Sequence, residues 1–265
     1  MKSVLVMLML AASVTFAGEV LLEANDAAAW PGKVKAVADN AFAVPATNRT
    51  ISVNSIKVDA EKTIRISGEF RFPGTVEKGA ALLYFGFRPM AEDGKVINAL
   101  NINQAAKTAL TELAAPAAKG DTKLIVKDAS TWTKLTKYYR IAFFVNADFS
   151  DMPNYKLSPI PKTVTAKEDG TYLVELHGPL AFDAPAGTAL RMHTDSSNFI
   201  YSGSAGGKLT PEWQTFSGTI KGMRPGAGNR FWWKGSHMAQ VVFFAHGARI
   251  SGNLEFRNIK VEIAD

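Results

Sequence analysis

The sequence predicts an all-β protein, a β-sandwich interrupted in mid-chain by a smaller β unit. Three features carry this. Residues 63–72 alternate, with Ile64, Ile66, Phe70 and Phe72 on one side and Arg65, Ser67, Glu69 and Arg71 on the other. That is the period of a strand with one face on a core and one in water. Similar short apolar runs recur along the chain, punctuated by turn pairs such as Pro73-Gly74, Asp93-Gly94 and Asp169-Gly170. Finally, the middle of the chain has its own opening pattern, GDTKLIVKD at 120–128, and its own closing pattern, PLAFDAPAGTALR at 179–191.

Taken in order, strands are expected over 20–22, 51–58, 63–72 and 81–87. Segment 100–118 has room for a turn or two of helix. The middle unit supplies strands over 124–126, 140–145 and 172–176. The chain then returns to its earlier character, with strands over 216–220, 241–245 and 254–263. The run 241–245 is apolar on both faces, which predicts a central, covered strand. In the last strand Leu254 and Phe256 alternate, then Ile259, Val261 and Ile263, with an offset of three. An extra residue near Arg257-Asn258 produces such a shift, so a β-bulge is expected there. A single continuous sandwich with a long excursion is the alternative to an inserted unit.

The first residues read as a signal peptide. Lys2 gives a positive start, 3–16 is an apolar run, and Thr15 and Ala17 place small residues before Gly18. The run is too short to span a bilayer well. A soluble, exported protein is expected: secreted, periplasmic or on the surface of a bacterial cell. A buried N-terminal helix is the alternative. The chain has no cysteine, so neither a lipoprotein anchor nor a disulfide framework is available. Lys and Arg number 30 against 24 Asp and Glu, a balance of +6, but the bases are scattered. No nucleic-acid-binding arm is read from them. A leaning toward acidic partners, such as uronic-acid or sulfated polysaccharides, fits this charge, and so does a generic solvated surface.

Specific segments add a resemblance. TIRISGEFR at 63–71 and LYFGF at 83–87 come from the first part of the chain. WQTFSGTI at 213–220, FWWKGS at 231–236 and GNLEFRNIKVE at 252–262 come from the last. Together they resemble the galactose-binding-like jelly roll found in many carbohydrate-binding modules, over roughly 20–105 and 195–265. The resemblance implies a discontinuous jelly-roll β-sandwich, 18–109 and 193–265, holding a small β-barrel-like module at 110–192. It implies a polysaccharide or glycan as partner and no cofactor. The family often has Asp before the Asn of its last strand, where it helps to hold a structural calcium. This chain has Arg257 there, and an Arg cannot ligate a cation, so calcium is not supported.

The expected ligand-binding residues are Trp232, Trp233, Lys234, Arg191, His193 and Tyr201. Neighbouring residues on a strand point to opposite faces, so one indole of the Trp232-Trp233 pair can face out beside Lys234 as a platform for sugar rings. Arg191 and His193 are spaced to share a strand face and, with Tyr201, to form a polar wall. The competing reading puts both indoles in the core. No catalytic residue is expected. His177, His193, His237 and His246 make no zinc spacing, and there is no nucleophile elbow or phosphate loop. The stretch WWKGSHMAQ at 232–240 is similar to a strand of jelly-roll alginate lyases but lacks its acid–base Tyr. Glycan binding without catalysis is therefore expected. The alternatives are a structural or adhesive surface protein without soluble ligand and, third, a polysaccharide lyase.

Overall fold

Alternation in the segment Ile64–Arg71 places Ile64, Ile66 and Phe70 out of contact with solvent and turns Arg65, Glu69 and Arg71 outward. The chain is seen in a computed structural model that describes residues 18–32, 34–133, 135–201 and 205–264. The predicted signal peptide, 1–17, lies outside the described residues. The fold is an all-β sandwich, and among the described residues no sheet closes on itself.

One layer is a six-stranded antiparallel sheet. Its order is Gln214–Ile220, Ile64–Arg71, Asn253–Ile263, Ala41–Pro45 and Lys35–Val37, with Val20–Glu23 also on Asn253–Ile263. The expected bulge is present. Register shifts between Arg257 and Lys260, and Asn258 takes φ 53°. The shift re-aims the strand, so Leu254, Phe256, Ile259 and Val261 are all buried despite the break in alternation.

The facing layer is Thr50–Lys57, Met238–His246 and Leu82–Met90, antiparallel, with Met238–His246 in the centre. Bridges from Phe87 to Ile200 and from Leu82 to Lys208 continue its outer edge. Gly86 allows this approach, since a Cβ there would run into the carbonyl oxygen of Ile200. Strands from both ends of the chain therefore share both sheets.

The middle of the chain forms two further three-stranded sheets. One is Tyr139–Phe143, Ala189–Thr194 and Thr111–Glu112; the other is Pro161–Ala166, Tyr172–Leu176 and Lys123–Val126. Its opening and closing patterns lie against each other, through Leu180 N–H to Asp121 O at 2.8 Å and Ala117 N–H to Ala184 O at 2.8 Å. Buried apolar residues fall into two clusters. One draws on 105–192 and the other on 22–102, Met152 and 200–261. Among the described residues helix is confined to one α turn, Ala99–Ile102, and one 3₁₀ turn, Ala27–Ala29. Strand Ala41–Pro45 escapes an alternation search because its first four residues are buried on both faces.

Rings from both layers meet at the centre of the sandwich. Phe243 lies 4.6 Å from Phe256, 5.2 Å from Phe70 and 5.1 Å from Trp30, centroid to centroid. Phe85 stands edge-on to Phe70 at 4.9 Å. Phe243→Ala removes the ring that touches both sheets. It is expected to cost about 3–5 kcal/mol of stability, measured by urea unfolding of the purified protein. A loss below about 1 kcal/mol would show that the two sheets do not depend on this ring.

Candidate functional site

The residues expected to bind ligand are brought to different places. Trp232 and Trp233 are both fully buried, which corrects the expectation of an exposed ring. The reason is local. Trp232–Trp233 is a two-residue strand paired in parallel with Met223–Arg224, not part of a sheet with a wet face. Both its sides are covered. Trp232 packs 5.0 Å from Phe87, and Trp233 donates its indole N–H to Gly228 O at 2.9 Å. Lys234 is half-buried, and its backbone N–H bonds to Arg224 O at 2.9 Å.

Arg191 and His193 do share a strand face, as their spacing suggests, but both are fully buried and wall no open cleft. They form a network between Ala189–Thr194, the helix Ala99–Ile102 and the loop after Phe143. Arg191 Nη2 pairs with Asp151 Oδ2 at 2.6 Å, Nη1 donates to Asn146 O at 3.1 Å, and Nε donates to His193 Nε2 at 3.0 Å. An arginine only donates, so His193 Nε2 accepts and Nδ1 carries the hydrogen toward Leu100 O, 2.6 Å away. Phe149 covers the guanidinium at 4.8 Å. These two residues join the middle of the chain to the sandwich.

That network sets a pH dependence. Burial pushes the His193 imidazole down to about 4 from its ordinary 6.5, opposed by the Leu100 carbonyl and aided by Arg191. The neutral ring is the folded form. Its contribution is complete above 6.5 and is lost as pH falls toward 4. Unfolding free energy is expected to drop by about 3 kcal/mol across that window, with the slope absent in His193→Gln. Equal slopes in the two proteins would refute this. Asp151→Ala strands a buried cation and is expected to cost about 3–5 kcal/mol.

Tyr201 belongs to a different surface, the outer face of the three-stranded sheet. Phe85 and Phe243 point inward, so their neighbours Tyr84 and Phe244 point outward and lie directly opposite each other. Their rings are parallel, 5.0 Å apart with 6° between planes. Tyr201 stands edge-on to Tyr84 at 4.9 Å, and Phe199 lies 6.3 Å from Tyr201. His246, exposed at the end of the central strand, reaches Tyr84 at 5.9 Å. The exposed Arg49 places its guanidinium 5.2 Å from the Phe199 ring centre and 5.8 Å from that of Phe244. Farther along, Arg88 donates its Nε to Gln240 Oε1 at 3.1 Å and its Nη2 to the same oxygen. Gln240 is itself held by Ser52 O at 2.7 Å. Burial raises the Tyr201 phenol, while a Ser197 hydrogen bond and the charge of Arg49 pull it back.

The outer face of the six-stranded sheet differs in kind. Its charges are paired: Arg71 with Glu255 at 2.6 Å, Arg257 with Glu69 at 2.8 Å, and Lys260 with Glu262 at 2.6 Å. Trp213 lies between Arg71 and Arg257, 4.6 and 4.3 Å from its ring, so its faces are taken. Arg257 thus neutralises Glu69 where the resembled family has a calcium-binding Asp. Among the described residues no group of three or more His, Asp or Glu is placed to hold a metal. The middle unit has a cleft of ≈ 330 Å³ lined by Lys107, Thr108, Thr131, Trp132, Thr133 and Tyr139, but Trp132 is only 2 % exposed and offers no open ring.

The sequence reading reached Tyr201 and missed Tyr84, Phe244, Arg49 and Arg88. A signal existed. In Leu82–Met90 and Met238–His246 the inward residues are apolar, and the outward positions carry Tyr84, Arg88, Gln240, Phe244 and His246 among Leu82, Gly86, Met90, Met238 and Val242. Aromatics at outward positions are legible once the inward phase is known. No protein-family model, curated protein or solved structure matches this chain. Among the described residues no helix is long and apolar enough to cross a membrane.

Proposed function

We propose that this is an exported, non-catalytic carbohydrate-binding protein that recognises a polysaccharide at the cell surface or in the periplasm. Its binding surface is the outer face of the three-stranded sheet. One observation carries the reading: Tyr84, Phe244 and Tyr201 gather outside the core, on a sheet face, beside Arg49 and His246, with the Arg88–Gln240 pair farther along the same strands. Aromatic faces accept the apolar sides of pyranose rings, and convergent polar groups take hydroxyls. The resemblance of the outer segments to carbohydrate-binding modules supports the same reading.

The three strands of this face, Thr50–Lys57, Leu82–Met90 and Met238–His246, supply no carboxylate, so the paired carboxylates of glycoside hydrolysis have no members on them. A phenol acting as base in a lyase needs its pKa lowered, and that of Tyr201 is raised.

The test is a glycan array with the chain from residue 18, followed by variants on the best binder. Tyr84→Ala and Phe244→Ala are expected to weaken binding about tenfold, because a ring stack of order 1 kcal/mol and its buried area are lost. Both should stay folded. Trp232→Ala is expected instead to cost about 3–5 kcal/mol of stability. Undiminished affinity in folded Tyr84→Ala and Phe244→Ala proteins would remove this face from the proposal. Export has its own readout: the mass of the protein from periplasm or medium should begin near Gly18, and an intact Met1 there would refute it.

A further inference from the structure

We propose that the polymer taken by this face is anionic, and that Arg49 receives its carboxylate or sulfate group. The inference rests on the glycan reading and adds the chemical class of the sugar. It comes from the unequal charge of the two outer faces. On the six-stranded sheet every guanidinium of the central strands has a carboxylate partner: Arg65 with Glu262, Arg71 with Glu255 and Arg257 with Glu69. On the three-stranded sheet, among the described residues, neither Arg49 nor Arg88 is in any ion pair. The three strands carry Lys57, Arg88 and His246 and no acid, and Lys208 bridges to the edge at Leu82.

Arg49 is also positioned rather than free. It precedes Thr50–Lys57, and two rings hold its planar cation, Phe199 at 5.2 Å and Phe244 at 5.8 Å. A guanidinium held near these rings by cation–π attraction keeps its fork of N–H donors for a planar or tetrahedral oxyanion. The charge of Arg49 reaches the Tyr201 phenol, whose ring stands beside Tyr84 and Phe244. A sugar stacked on those rings therefore has its anionic substituent beside a cation that the fold leaves uncompensated. Uronic-acid carboxylates and sulfate esters share this chemistry.

The experiment compares binding of the chain from residue 18 to neutral glucan, mannan and galactan, to alginate and polygalacturonate, and to carrageenan and dextran sulfate. Carboxyl-reduced polygalacturonate and desulfated carrageenan serve as matched controls. Variants are Arg49→Gln and, as an equal charge change on the exposed surface of the middle unit, Lys119→Gln. Binding to the carboxylated or the sulfated polymers is expected, at least about tenfold weaker for the matched neutral form and for Arg49→Gln. Lys119→Gln should change it by less than about twofold. Loss with carboxyl reduction identifies a uronate, and loss with desulfation a sulfate ester. Neutral polymers bound as tightly as charged ones would overturn the inference while leaving the glycan reading standing. Equal losses in Arg49→Gln and Lys119→Gln would overturn it as mere net-charge attraction. Binding to none of the polymers would overturn the glycan reading itself. Arg49→Gln should unfold at the wild-type midpoint, and Arg49→Lys, which keeps charge but loses the fork, should fall between the two. An Arg49→Gln protein that is folded and binds normally would also refute the proposal.

Discussion

Phe70 and Phe256 come from one sheet, Phe85 and Phe243 from the other, and their rings meet within 4.6–5.2 Å at the centre of the sandwich. Strand side chains alternate, so placing Phe85 and Phe243 inside leaves Tyr84 and Phe244 no choice but the outside. A slip of one residue in either strand would exchange the core for the surface. The aromatic packing that stabilises the fold is thus also what presents the candidate binding face. The Arg257–Asn258 bulge serves the same end on the opposite sheet, because it lets one long strand keep Leu254, Phe256, Ile259 and Val261 in a single core.

The two outer faces follow different electrostatic rules. On the six-stranded sheet, cross-strand Arg–Glu pairs neutralise each other. Exposed pairs of this kind contribute little stability, on the order of 0–1 kcal/mol each. Their effect is to match each guanidinium on the central strands of that face with a carboxylate. On the three-stranded sheet the cations stand among rings and amides. Such a face attracts anions at long range and holds them at short range.

The buried Arg191–Asp151–His193 group works differently again. Its parts come from a strand, a loop and a helix turn, and each polar atom named above has a partner. Desolvating an ion pair is costly, so this group adds less to net stability than to the relative placement of the elements it joins. Acid weakens it by protonating a ring that the fold keeps neutral.

Local patterns were enough for the fold class, most strand positions, the bulge near Arg257-Asn258 and the central place of the strand at 241–245. Alternation and turn residues are local, and a local pattern survives in one dimension. It also brought Arg191 and His193 to one strand face. Tertiary structure decided what surrounds them. Trp232 and Trp233 look like a platform until Phe87 and the Gly228 loop close over both sides, and Arg191 looks like a ligand donor until Asp151, forty positions away, reaches it. Tyr84, Phe244, Tyr201 and Arg49 come from four separate segments. Burial and partnership depend on which distant segments arrive, and only the packed sheets determine that.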